Sequence, residues 1–313
     1  VTMSIIKKCL SILLMFTFSS VAFAHYENPS NHFGKGFGTD GVEISFIEFD
    51  SIDLENDSAP LTIQGKLQIP QQKKCHGYKC KRNKLMPAVV ILHGSAGVDA
   101  RGDFYAQSLN EAGIATLEID MWDARGITQI SDRPALPLYT YPDAFAALNY
   151  LSQRSEIDPD KIGVMGFSWG GIVTMATAVE ANAQTYGGGM HFAAHVAHYP
   201  VCFAYNSSLP GSDFYNLTGA PILVQIGEND DYDLGSGPCE AVRASLTTDE
   251  QANFSIVSFA GAYHDFDRLR VPTSVYDPYA NFGAGGQVRL IPDVDAAYQA
   301  RRNAVKFFVK ALF

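Results

Sequence analysis

The stretch Val164-Met165-Gly166-Phe167-Ser168-Trp169-Gly170-Gly171 constrains this chain more than any other. It joins an apolar, strand-like run to a helix-forming run that starts Ile172-Val173-Thr174-Met175-Ala176, with a serine set between glycines two places before and two after. A serine on so tight a strand-to-helix turn needs neighbours without side chains, because a Cβ at either place would meet backbone. The turn holds Ser168 out for attack. The unpaired N–H groups that open the helix point toward the same spot, so the N–H of Trp169 is a candidate oxyanion donor. Gly-x-Ser-x-Gly is short enough to arise by chance, and its context decides.

That context is a chain of strands alternating with helices. Ile44 to Phe49 and Leu61 to Ile69 alternate apolar and polar residues, as antiparallel strands exposed on one face do. Val89-Val90-Ile91-Leu92 is a continuous apolar run of the kind buried on both faces. A helix is expected over Phe104 to Ala112, a strand over Ile114 to Ile119, a helix over Tyr141 to Leu151 and a strand over Ile162 to Met165. Beyond the turn, Ala193 to His198, Pro221 to Ile226 and Phe254 to Phe259 read as strands, the last of them the final one. Val294 to Leu312 reads as a closing helix. The pattern predicts an α/β fold with a mainly parallel, doubly wound sheet flanked by helices.

The N-terminus carries Lys7 and Lys8, an apolar run from Cys9 to Val21, and Ala22-Phe23-Ala24 before His25. This is the pattern of a secretory signal peptide over residues 1–24, and it predicts an exported protein, periplasmic or secreted, with one domain over 25–313. The run is shorter than the roughly 20 apolar residues of a membrane span, so no stable membrane association is expected. The net charge of −10 argues against nucleic acid and anionic membrane surfaces as partners. Four cysteines follow the leader: Cys75, Cys80, Cys202 and Cys239. An even count in an exported chain suggests two disulfides, read as Cys75–Cys80 and Cys202–Cys239, although three connectivities are open. No metal is expected, because Cys75-x4-Cys80 has no partner pair at zinc spacing.

A serine hydroxyl needs a base, and the base an orienting carboxylate. Glu228-Asn229-Asp230 follows the strand at Pro221 to Ile226, and Tyr263-His264-Asp265 follows the strand at Phe254 to Phe259. Asp230 and His264 are therefore the expected acid and base, with Asp231 and Asp233 close enough to compete with Asp230. His93-Gly94-Ser95 stands where a second oxyanion donor belongs, so the N–H of Ser95 is expected to pair with that of Trp169. Trp122 and Arg125 follow a strand and are candidates to line the pocket, with a structural ion pair the other reading of Arg125. His191, His195 and His198 cannot converge on a metal, since His198 falls on the opposite face of its strand from the other two.

Taken together, His93-Gly94-Ser95-Ala96-Gly97, Gly166-Phe167-Ser168-Trp169-Gly170-Gly171, Gly227-Glu228-Asn229-Asp230-Asp231 and Gly261-Ala262-Tyr263-His264-Asp265-Phe266 resemble the dienelactone hydrolase family of α/β-hydrolases. The resemblance implies that fold and the hydrolysis of a small-molecule carboxylic ester or lactone by Ser168, Asp230 and His264 through an acyl-enzyme, with no cofactor. It also supports pairing of Cys202 with Cys239. The best-known members use a cysteine nucleophile where this chain has serine, and a pocket and base tuned to a thiolate need not suit a hydroxyl, so the resemblance does not carry their substrate over. The alternatives are a peptidase or acyltransferase with the same three residues, or a catalytically silent binding protein. Oligomeric state is not legible, nor is whether the Tyr-, Gly- and Pro-rich stretch from Arg268 to Pro292 covers the pocket.

Overall fold

The computed structural model describes residues 41–71 and 85–313. The expected signal peptide, the arm after it and the Cys75–Cys80 pair lie outside the described residues.

Eight strands form one sheet. β1 (Val42–Asp53) and β2 (Ala59–Pro70) run antiparallel at one edge. β2 pairs antiparallel with β4 (Ala115–Asp120), and from there every pairing is parallel. It passes through β3 (Met86–Leu92), β5 (Ile157–Phe167), β6 (Ala194–His198), β7 (Ile222–Gly227) and β8 (Phe254–Phe259). A parallel sheet has to be covered on both faces, which is why β3 reads as an unbroken apolar run and why β3, β6 and β7 are buried throughout, the last two carrying His195, His198 and Gln225 among their apolar residues. The expected elements from β1 to β8 are all present, displaced only at their ends. α1 (Ala100–Glu111) starts a turn early, where the Asp99 side chain accepts from the N–H of Arg101 and caps it.

Alternation along β3 divides the core. Val89 and Ile91 face Tyr105 and Leu109 of α1, together with Ala304 and Phe308 of α8 (Val294–Leu312). Val90 and Leu92 face Phe145 and Leu148 of α2 (Tyr141–Ser152), together with Ala183 of α4 (Glu180–Gly187). On α8 the buried stripe Ala296, Ala300, Ala304, Phe308 and Leu312 recurs every four residues, so one face meets the sheet and the other meets water. Burying the Phe308 side chain alone contributes about 1.5–3 kcal/mol. α3 (Trp169–Ala176) follows β5 directly, and α5 (Gly237–Ser245) and α6 (Thr248–Ala252) separate β7 from β8. Among the described residues no helix is long and apolar enough to cross a membrane.

The strand at Phe254–Phe259 closes the large sheet but is not the last in the chain. β9 (Thr273–Asp277) and β10 (Gly286–Leu290) form a separate antiparallel pair, joined through the short, kinked α7 (Ala280–Gly283). Of the three histidines around β6, His195 and His198 are buried on its opposite faces. His191 lies before the strand, with its Nε2 3.2 Å from a carboxylate oxygen of Glu180.

Candidate active site

Ser168 sits between β5 and α3 with φ 51° and ψ −110°, in the left-handed half of backbone space that a serine seldom adopts. Such a conformation costs on the order of 1–3 kcal/mol and persists only where its surroundings enforce it. They do so here by close approach. A Cβ on Gly166 would collide with the carbonyl of Gly170, and one on Gly170 with the carbonyls of Leu92 and His93. The N–H of Ser168 donates to the His198 carbonyl at 3.0 Å, and that of Gly170 to the His93 carbonyl at 3.1 Å. At the head of α3 the N–H of Trp169 meets no partner among the described residues.

The side chains expected from the sequence meet at this turn. His264 Nε2 lies 2.9 Å from Ser168 Oγ, and His264 Nδ1 lies 2.7 Å from Asp230 Oδ2. A carboxylate can only accept, so Nδ1 carries the proton and Nε2 is free to accept from the serine hydroxyl. Asp230 is held in turn by the N–H of Tyr232, which donates to Oδ1 at 2.9 Å. The neighbouring aspartates are engaged elsewhere. Asp231 takes the Arg289 guanidinium in a two-pronged pair, and Asp233 accepts the N–H groups of Cys202 and Phe203 at 2.7 and 2.8 Å. Burial and the nearby charge of Asp230 push the Asp233 carboxyl up to about 7.

His264 is itself buried, flanked by the rings of Tyr199 and Tyr232 at 4.7 and 4.5 Å. Burial disfavours the imidazolium, but the Asp230 carboxylate outweighs it, and the pKa stands above the ordinary 6.5. A base acts in its neutral form. Ester-hydrolysis kcat/KM should therefore rise with pH through a midpoint above 6.5, which a pH–rate profile measures.

The loop after β3 faces this turn. His93 Nε2 accepts the N–H of Met121 at 2.9 Å, so its Nδ1 is the donor to the Gly94 carbonyl at 2.8 Å. Burial lowers the His93 pKa, in keeping with a neutral ring fixed in one tautomer. The Ser95 carbonyl accepts from Trp122 Nε1 at 3.1 Å and its Oγ from Arg133 Nη1 at 2.6 Å, while its own N–H meets no partner among the described residues. Ser95 and Trp169 thus each bring a backbone donor to the cavity that holds Ser168. The sequence marks His93 only as part of the loop that carries Ser95 and does not mark Arg133 at all, because nothing in either segment states which way its side chain turns.

Trp122 and Arg125, expected at the pocket wall, stand behind it. Trp122 packs edge-on against Trp169. Arg125 is buried and donates to Asp143 at 2.7 Å and to the carbonyls of Met121 and Tyr139, which is the structural pair that was its other reading. Burial pushes the Asp143 carboxyl up to about 6 even with this partner. Arg125→Met leaves that carboxyl unpaired, and should lower the unfolding free energy by about 3–5 kcal/mol and Tm by on the order of 10 °C in thermal melts.

The wall is built instead from the Arg133–Pro137 loop, the Val201–Tyr205 segment and the far end of the chain, since Asp277 and Tyr279 line the cavity. The segment from Arg268 to Pro292 therefore does reach the pocket. Cys202 and Cys239 form a disulfide that ties the Val201–Tyr205 wall to α5. Closing a loop of this length contributes about 4 kcal/mol on the chain-entropy account.

A sequence model of the dienelactone hydrolase family matches residues 76–288. YtaP of Bacillus subtilis (strain 168), a candidate hydrolase, is 28% identical over 139 aligned residues, and the match takes in 36% of this chain and 46% of that one, so the chain spans about half the length of this curated relative. Among solved structures, a dienelactone hydrolase-like promiscuous phosphotriesterase from metagenomic libraries superposes with a TM-score of 0.56 at 18% identity. It covers 86% of this chain and 99% of its own. An esterase of the archaeon Pyrobaculum calidifontis does so with a TM-score of 0.56 at 17% identity, over 86% and 83%. These structural likenesses speak for the fold, and the sequence match for the lineage: the chain belongs to the dienelactone hydrolase family of the α/β-hydrolase superfamily.

Proposed function

We propose that the protein is a serine hydrolase that cleaves a small-molecule carboxylic ester through an acyl-enzyme. The observation that carries this reading is the unbroken row Ser168 Oγ, His264, Asp230, with contacts of 2.9 and 2.7 Å, at the mouth of an apolar cavity. Ser168 Oγ attacks the ester carbonyl carbon as its proton passes to His264 Nε2. The tetrahedral oxyanion lies between the N–H groups of Trp169 and Ser95, each such donor being worth about 10²–10³ in turnover. Collapse breaks the bond to the alkoxide, which takes the proton from His264 and departs as the alcohol. Water then loses a proton to His264, attacks the acyl-enzyme and releases the carboxylic acid while the proton returns to Ser168. Asp230 holds the ring in the productive tautomer and stabilises the imidazolium.

The test is labelling of purified protein with a fluorophosphonate probe, with the adduct located by peptide mass. Label on Ser168 alone is expected. Folded protein that takes no label, or takes it elsewhere, ends this reading in favour of a silent binding protein or another nucleophile. Export remains part of the proposal and is supported by the Cys202–Cys239 bond, since such bonds persist in oxidising compartments.

A further inference from the structure

The cavity beside Ser168 is small and apolar. Leu136, Pro137, Ile172, Val201, Phe203 and Leu209 face it, and its volume is about 90 Å³. Pockets that enclose drug-sized molecules run to about 300–1,000 Å³. A short chain fills it, and a longer one has to run out into solvent.

Two charged side chains reach its wall, and they cancel. Arg133 Nη2 donates to Asp277 Oδ2 at 3.2 Å, with both side chains mostly shielded from water, 16% and 9% exposed. Their remaining capacity is largely used. Asp277 also accepts from Tyr232 Oη at 2.9 Å and from the N–H of Tyr279 at 2.8 Å, and the other Arg133 terminal nitrogen holds Ser95 Oγ. Arg125, on the loop after β4, is consumed behind the wall by Asp143. A carboxylate on the substrate would shed its hydration on entering and meet no unengaged cation or net positive charge. A hydrocarbon chain loses nothing there and leaves water.

We infer that the site takes uncharged esters with a short aliphatic acyl group of about two to four carbons, and that Asp277 excludes acid-bearing esters by neutralising Arg133. The inference rests on Ser168 being the nucleophile. It makes Asp277, delivered by the β9–β10 pair, a specificity residue rather than part of the reacting row.

The experiment measures kcat/KM of the purified protein for p-nitrophenyl acetate, butyrate and octanoate, and for ethyl butyrate against monoethyl succinate, in the parent, Asp277→Asn, and Asp277→Asn with Arg133→Met. In the parent, butyrate should exceed octanoate at least tenfold, and ethyl butyrate should exceed monoethyl succinate at least tenfold. Asp277→Asn leaves Arg133 uncompensated and should narrow the second ratio at least tenfold, and adding Arg133→Met should restore it. A parent that favours octanoate or monoethyl succinate overturns the inference. So does an Asp277→Asn variant in which both ethyl esters change by the same factor, since a merely structural aspartate would act that way. Fluorophosphonate labelling of the same preparations separates the two claims. Unlabelled Ser168 defeats the hydrolase reading, whereas labelled Ser168 with an acid-bearing preference defeats the substrate assignment alone.

Discussion

Alanine at Ser168 is expected to lower kcat for ester hydrolysis by about 10⁵–10⁶-fold while leaving the fold in place. The size follows from what is lost, since every bond made or broken in the proposed cycle passes through Ser168 Oγ. What survives is the contribution of the backbone donors at Trp169 and Ser95 and of substrate binding, together about 10³–10⁴ over water in enzymes of this type. The side chain carries little of the structure. Among the described residues its only hydrogen bond is to His264, and the left-handed backbone is enforced by the glycines and by the N–H bond to His198, all of which remain. Thermal melts should therefore agree to within a few degrees, and steady-state rates should differ by orders of magnitude. A variant that retains even a tenth of the parent rate would show that the nucleophile lies elsewhere.

Asparagine at Asp230 should cost about 10⁴ in kcat. An amide presents N–H as readily as C=O to His264 Nδ1, so the ring loses its fixed tautomer, and the imidazolium loses the charge that holds its pKa above 6.5. The surviving activity should consequently titrate at lower pH than in the parent. Asparagine at Asp231 is the matched control. Its pair with Arg289 is half open to solvent on the arginine side, where such pairs contribute about 0–1 kcal/mol, and it touches no reacting group. Activity within a few-fold of the parent is expected for that variant. Equal losses in the two would overturn the choice of acid.

Much of this arrangement can be read before any coordinates. β3 and β7 are legible because a parallel strand covered on both faces is mostly apolar along its length, and α8 because its apolar face repeats at helical spacing from Val294 to Leu312. The order Ser168, Asp230, His264 is legible because each follows a strand that reads clearly. The choice among Asp230, Asp231 and Asp233 is less so, since three like side chains within four residues differ only once the turn aims each at His264, Arg289 or the backbone of Cys202 and Phe203. The β9–β10 pair leaves no such trace. Ser274, Val275 and Tyr276 are exposed alike, so the strand shows no alternation of buried and open sides to betray it. Arg133 is hidden for a related reason: an arginine in a polar loop reads as surface, and only its pairing with Asp277, 144 residues away, turns it inward.

The placement of that late pair of strands bears on how the protein is made. Ser168 and both backbone donors leave the ribosome well before Asp230 and His264, and Asp277 follows later still. Synthesis proceeds at about 5–20 residues per second, so a nascent chain spends seconds with its proposed nucleophile made but neither the proposed base nor the acidic partner of its pocket arginine. On the proposed mechanism, esterase activity therefore waits on the last third of the chain, and a chain that does not yet carry His264 is harmless to esters.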